Sequence, residues 1–330
     1  MLDTRLSATG AAVHGAALAA LALSSLFAAP LQAAQPAFPE KPIRVVVPFA
    51  GGSGTDWIGR AVADEMGKSM KVPVIVENKA GADGRIGTDF VVKSAPDGYT
   101  QVITSSATHS ANPGLIRNLS YHPVKDFAHI SLLITDPLIF SVHPSVAPSV
   151  KAFIAVAKQK KLSLGYGSNS SLVAASTFNK LAGIEALTVP YKSQPQAATD
   201  VAGGQVHYIF ADATATGGLI QAGRLRPLAM TGTKRSEQYP DVPTLAEQGV
   251  EGFDLQVWVG LAAPAGTPAS VMTYLNSEVN RIMNRADVKE KFRAVGKTTA
   301  PNSLPEQQAL VEKQMEVWAR RIADAGLKAE

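Results

Sequence analysis

Past residue 40 the chain alternates between two patterns. Solid apolar runs end in small and hydroxyl residues, and segments with apolar positions at helical spacing follow them. The first series predicts a strand over 43–48, a helix over 57–66 and a strand over 72–77. A helix over 86–93 then stops before Pro96, and Asp97-Gly98 turns the chain into a strand over 99–104. Two consecutive βαβ units of this kind imply a parallel sheet with right-handed crossovers.

The proline-rich passage "DPLIFSVHPSVAPSV" breaks this rhythm, and its start reads as a hinge. A second series follows: a helix from 150, a strand over "LSLGYG", a helix over 172–181, a strand over "LTVPY", a helix over 196–201, a strand over "HYIF", a helix ending near 221 and a strand over "RPLAMTG". Gly183 and Gly223 stand where helix C-caps are expected. A last strand over 255–261 leads through "APAGTP" into two or three terminal helices. In the first of these Val271, Leu275, Val279 and Ile282 form one stripe, expected to pack back on the first domain. The expected fold is α/β, with two domains that each hold a mixed, mostly parallel sheet flanked by helices. Residues 35–138 with 256–330 form one discontinuous domain, and 139–255 form the other.

Composition narrows the possible functions. A chain of 330 residues accommodates two domains, and 46% hydrophobic with 18% charged residues lies in the globular range. The net charge of +4 arises from 31 basic and 27 acidic residues with no basic run, so no nucleic-acid partner is expected. Residues 11–31 are small or apolar except for His14, Ser24, Ser25 and Pro30, and small residues follow them. This pattern reads as a cleavable secretory signal over 1–34, with an uncleaved membrane anchor as the alternative; Arg5, offset by Asp3, makes a poor basic region. Either way the body of the protein is delivered across a membrane. There is no cysteine, which excludes disulfides, thiolate metal sites and a cysteine nucleophile.

The stretch "VVVPFAGGSGTDWIGR" ends a buried strand in glycines and hydroxyls. It lacks the spacing and lysine of a phosphate-binding P-loop. As a dinucleotide fingerprint it fails at Trp57, and the later Gly81, Gly84 and Gly87 have the wrong period. Gly51, Gly52, Ser53, Gly54 and Thr55 miss the GxSxG of a hydrolase elbow at the last position, so an exported α/β hydrolase using Ser53 is the enzyme rival and needs a base within reach. His109, His122, His129, His143 and His207 are scattered, and none sits in a paired-ligand context. No metal or cofactor is expected.

What recurs is a strand ending in small and hydroxyl residues before a helix: "FAGGSGTD", "KAGADGRIG", "TSSATHSAN", "GYGSNSSL", "YKSQPQ" and "FADATAT". Each offers free backbone N–H groups at a helix N-terminus, where an anion is favoured. Singly such loops are ordinary caps; six of them over two domains suggest a cleft closing on a carboxylate from two sides. The third loop adds Ser105, Ser106 and His109 to the candidates, and the first adds Ser53 and Gly54.

The segments "FPEKPIRVVVPFAGGSGTD", "VENKAGADGRIGTDFVVKSAPDGYT", "THSANPGL", "YHPVKDFAHI", "LGYGSNSS", "VPYK", "AGGQVHYIF", "VPTLAEQGV" and "APAGTP" occur in order across the chain. In them the sequence resembles the Bug family of periplasmic receptors, the substrate-binding proteins of tripartite tricarboxylate transporters. The resemblance implies a type II periplasmic-binding fold, a Venus flytrap whose two domains close on a small organic carboxylate. It also implies a periplasmic location, a monomer, delivery to a membrane permease and no catalysed reaction; signalling to a sensor kinase is the alternative. It places the ligand against loops 49–56 and 81–87 of one domain, and against 166–171, 191–194 and Asp212 of the other. Thr55, Ser168, Asn169, Ser170 and Ser171 would be donors, while Phe49, Trp57, Tyr166 and Tyr191 would wall the pocket. Asp56 is read as an N-cap, with ligand contact as the alternative. The chain departs from the family pattern at Asp83 and Arg85 around Gly84, at Ser193 and Gln194, and at Trp57. Arg85 could meet a distal carboxylate or pair with Asp83, and these departures are compatible with an aromatic mono- or dicarboxylate.

Overall fold

Strand β1 (Ile43–Val47) is buried at four of its five positions, which is why it reads as a continuous apolar run and not an alternating one. It lies between β2 (Val74–Asn78) and β3 (Thr100–Ser105), parallel to both. A computed structural model describes residues 38–329; the expected signal segment over 1–34 lies outside the described residues. From Pro39 onward the chain forms one compact unit. No helix among the described residues is long and apolar enough to cross a membrane.

The unit holds two five-stranded sheets. Strand β4 (Phe127–Pro137) completes the first with β10 (Gln256–Pro264), in the order β2-β1-β3-β10-β4. The second runs β7-β6-β8-β5-β9, with β5 (Ile139–Val142), β6 (Leu162–Tyr166), β7 (Ala186–Pro190), β8 (Tyr208–Ala211) and β9 (Arg226–Met230). In each sheet the fourth strand in order, β10 or β5, is antiparallel to both neighbours, so the other four share one direction. The sheets are mixed and mostly parallel. Two strands lie outside those expected from the sequence: β5, inside the proline-rich passage, and β4, which ends at its first two residues. Leu138 alone separates them, so the chain passes between sheets in a single residue.

The return crossing occupies 231–255, and Thr231 ties it to the first. Its backbone N–H donates to Leu138 O at 3.0 Å, and Leu138 N donates to its Oγ1 at 2.8 Å. Thr231 Oγ1 in turn donates to Leu255 O at 2.7 Å, and Leu255 N donates to Thr231 O at 2.8 Å. The two crossing segments are thereby clamped side by side.

Helices α1 (Gly54–Met70), α2 (Arg85–Val92) and α3 (Asn112–Leu115) follow β1, the 81–84 turn and β3. The second sheet carries α4 (Val150–Gln159), α5 (Asn169–Ala182), α6 (Gln194–Ala202) and α7 (Ala213–Gln221). Helices α8 (Ala269–Met283), α9 (Ala286–Arg293) and α10 (Leu304–Asp324) close the chain. The terminal helices pack against β4 and α1, with Met272, Leu275, Val279 and Ile282 inward; Val271 of the expected stripe is only half-buried. Packing around the second sheet centres on Phe140, Phe153, Phe178, Tyr208 and Phe210, with the rings of Phe140 and Phe210 stacked 4.6 Å apart.

Candidate functional site

Four helices begin at one cavity. Ser53 caps α1, Ser168 caps α5, Ser193 caps α6 and Asp212 caps α7, and all four caps line it. The reason is local. Each residue sits in extended backbone in the loop between a strand and its helix, and its side-chain oxygen accepts an amide from the first turn: Asp56 N, Ser171 N, Gln196 N and Thr214 N respectively. A capping serine that accepts in this way keeps its own O–H proton to donate. At α1 the amides of Gly54 and Thr55, and at α5 those of Asn169 and Ser170, stand in the first two helical positions and have no intrahelical acceptor. The cavity encloses about 620 Å³ of empty space, its open mouth included.

Of the residues singled out by sequence, Phe49, Ser53, Gly54, Thr55, Ser105, Ser106, Ser168, Ser170, Ser193, Gln194 and Asp212 line this cavity. Gln194 organises the side built on the second sheet, donating to Ser168 Oγ at 3.1 Å and accepting Asp212 N at 3.1 Å. Gly167 lets these loops meet: a Cβ there would lie 2.2 Å from Gln194 N.

The remaining candidates stand elsewhere. Trp57 turns away from the cavity and packs edge-on against Phe292 of α9 at 5.0 Å. Tyr191 donates to Asp200 Oδ2 at 2.9 Å and packs beside α6, while half-buried Tyr166 lies outside the lining. The Ser171 hydroxyl is bonded to Phe210 O. His109 belongs to the wide π-type turn Ala107–Ala111 and is buried among Tyr121, Phe127, His129 and Trp258. Burial, with His129 beside it, holds its pKa well below the ordinary value.

Asp56 is not the N-cap expected of it. It occupies the third helical position of α1 and reaches back to the Gly52 amide at 2.9 Å, while also accepting from Asn78 Nδ2 at 2.8 Å and Arg60 Nε at 3.1 Å. Burial alone would raise its pKa, but these three donors outweigh it and hold the carboxyl low. Asp56 therefore shapes the loop from behind. Arg85 reaches neither a cavity wall nor Asp83 and donates instead to Ala82 O at 3.2 Å. The turn holding Asp83 and Gly84 acts through its backbone: Asp83 O accepts Asn112 Nδ2 at 2.9 Å, and Asn112 Oδ1 accepts Asn169 Nδ2 at 2.9 Å, linking the two sheets' helices.

Several lining residues were not anticipated. Ile58, Ile134, Leu138, Val257, Trp258 and Val259 supply an apolar wall, and Lys297 supplies a cation. Lys297 is buried between Asp212 Oδ1 at 3.2 Å and Asp136 Oδ2 at 3.8 Å. Burial opposes the ammonium charge, but the two carboxylates overcome it and raise the pKa. The Asp212 carboxyl is pushed up by burial and pulled further down by Lys297 and Thr214, ending low. For Asp136 burial wins over Lys297 and the Thr298 amide, and its pKa is pushed up to about 6. The bridge joins the loop after α9 to the cap of α7 on the second sheet. The Asp212 carboxylate also meets α1 itself, since a Cβ on Gly54 would lie 2.8 Å from Oδ1.

Two mixed sheets joined by paired crossing segments, with helix N-termini around an interfacial cavity, define a two-lobed solute-binding protein of the periplasmic type. The chain belongs to the family described as "Tripartite tricarboxylate transporter family receptor", whose pattern matches residues 58–327. BugT of Bordetella pertussis is 32% identical over 298 residues, 88% of this chain and 91% of that protein. Among solved structures, R. palustris Rpa4515 with adipate shares 30% identity at a TM-score of 0.87, covering 89% of this chain and 100% of that one. MatC from Rhodopseudomonas palustris with bound malate shares 28% identity at a TM-score of 0.82, covering 86% of this chain and 100% of its own.

Proposed function

We propose that this protein is a periplasmic receptor that closes on a small organic carboxylate, aromatic mono- and dicarboxylates included, and delivers it to a tripartite tricarboxylate-type transporter. The observation that carries the reading is the convergence of capped helix N-termini on one interfacial cavity. The Gly54, Thr55, Asn169 and Ser170 amides and the Ser53 and Ser168 hydroxyls are the donors assigned to the ligand carboxylate. Adipate and malate in two solved relatives support the ligand class. Closure rotates 35–138 with 256–330 against 139–255, about the Leu138 and Thr231–Leu255 crossings. Export uses residues 1–34 as a cleavable signal.

The hydrolase rival has little to work with. Ser53 Oγ is engaged with Thr55 Oγ1 at 3.1 Å and the Asp56 amide, and no histidine is among the cavity-lining residues. The test is thermal shift followed by calorimetry on the chain beginning at Gln35, since a ligand that binds only the folded form raises its stability. A shift with carboxylates, abolished when every carboxyl is esterified, is expected. Turnover of an ester with no shift by any carboxylate would overturn the reading. Solute uptake by cells lacking the protein tests delivery.

A further inference from the structure

We infer that the cavity selects a monocarboxylate with an uncharged, largely apolar body over di- and tricarboxylates, an inference that rests on the receptor reading above. Its basis is the charge already present. Among the described residues, the charged side chains lining the cavity are Asp212 and Lys297. The Lys297 ammonium is held by Asp212 and, from behind, by Asp136. With both carboxylates ionised this buried group carries one net negative charge.

A first ligand carboxylate has the helix N-termini of α1 and α5 to meet it. A second is left the start of α6, where only the Gln194 amide is free: Pro195 has no N–H and the Gln196 amide is already taken by Ser193 Oγ. The one lining cation is already shared by two acids, and the N-terminus of α7 is occupied by Asp212 itself. Bringing another negative charge beside that group, away from water, is repulsive and carries a desolvation cost without a partner. Meanwhile Ile58, Ile134, Leu138, Val257 and Val259 reward an apolar body. Asp136 Oδ2 is buried, accepts no hydrogen bond and meets Lys297 Nζ only at 3.8 Å, so the second carboxylate of the group is weakly compensated.

Lys297 and Asp136 are thus specificity-determining residues. Removing the Asp136 charge as Asp136→Asn keeps an oxygen for the Thr298 amide, which Asp136 Oδ1 now accepts at 2.8 Å, and leaves a neutral Lys297–Asp212 pair.

The experiment is calorimetry at pH 7.5 with matched ligands differing in one charge: adipate against its monomethyl ester, and terephthalate against its monomethyl ester. In the wild type each half-ester should bind at least tenfold more tightly than its parent diacid, a difference of about 1.4 kcal/mol. Asp136→Asn should shrink that ratio below threefold. Equal or tighter binding of the diacids by the wild type overturns the inference and leaves the receptor reading standing. A ratio unchanged in Asp136→Asn overturns the role given to Asp136. Failure of every mono- and dicarboxylate to bind overturns the receptor reading itself. The wild-type comparison stands alone if the variant does not fold.

Discussion

Replacing Lys297 with methionine keeps most of the side-chain volume and removes the ammonium that Asp136 and Asp212 share. Breaking a buried ion pair by deleting one partner typically costs 3–5 kcal/mol, because the remaining charge is left unpaired in a poor solvent. Here the cost is bounded, since a stranded carboxylate can take up a proton. The wild-type pKa of Asp136 is already about 6, with Lys297 pulling it down from a still higher value. Without that pull the carboxyl stays protonated, and at pH 8 the extra work has a ceiling of two pH units, about 3 kcal/mol. At pH 6 the ceiling falls to nothing. The sign follows from proton binding: a carboxyl whose folded pKa is raised binds protons more tightly in the native state, so stability falls as pH rises through the folded pKa. Lys297→Met moves that pKa up, and the loss of stability therefore extends from pH 6 towards pH 8. Asp212, deprived of its hydrogen-bonded partner, adds to it. Urea unfolding at several pH values should give a deficit of about 3–4 kcal/mol at pH 8 that shrinks to about 1 kcal/mol at pH 6. Parallel stability profiles for variant and wild type, or a deficit below about 1 kcal/mol at pH 8, would refute the reasoning.

Gly54→Ala sets a methyl against the Asp212 carboxylate, so the lobes cannot approach; ligand affinity should fall more than tenfold in calorimetry while the melting temperature of the unliganded protein changes by no more than about 3 °C. Burial keeps His129 neutral with a pKa of about 4, so its contribution is complete above the unfolded value near 6.5 and is lost as pH falls towards 4, because the unfolded chain takes up the proton first. His129→Gln, whose amide can keep the bond to Pro123 O, should therefore lose about 3 kcal/mol less than wild type between pH 7 and pH 4 in urea unfolding. Trp57→Ala should leave carboxylate affinity within twofold while costing about 2–3 kcal/mol of stability through the lost packing on Phe292.

Which loops carry polar groups at helix starts was legible in the sequence, although at α1 the cap expected at Asp56 falls on Ser53, and tertiary placement was not legible. Ser53, Ser168, Ser193 and Asp212 could be read as functional because a hydroxyl or carboxylate between a strand and a helix has one dominant local use, and the parallel strands then bring those ends together. Trp57 misled for a geometric reason. It stands one residue before Ile58, and a step of about 100° around α1 separates the face that lines the cavity from the face that meets α9. Tyr191 misled in the same way, its hydroxyl claimed by Asp200 on the neighbouring helix. Most of the apolar wall, Ile134, Val257, Trp258 and Val259, comes from β4 and β10, which neighbour each other only because the chain returns after visiting the second sheet. Lys297 lies in "VGKTTAP", which reads as a solvated turn; nothing in that stretch reveals that Asp136 and Asp212, from two different sheets, converge on it.

The insertion of β10 between β3 and β4 also orders events during synthesis. All five strands of the second sheet come from residues 139–230, so that half can pair its strands as soon as they emerge, although its core is finished only when Leu245–Leu255 and then Trp318 and Ile322 of α10 arrive. The first sheet is started earlier but stays open, with two unpaired edges where β3 and β4 await their partner, until the chain beyond residue 255 is available. Any chaperone that holds the unfinished chain therefore has those two edges to shield, and a chain cut short before β10 would leave its N-terminal half adhesive and its middle fully paired but lacking the Trp318 and Ile322 side chains that finish its core.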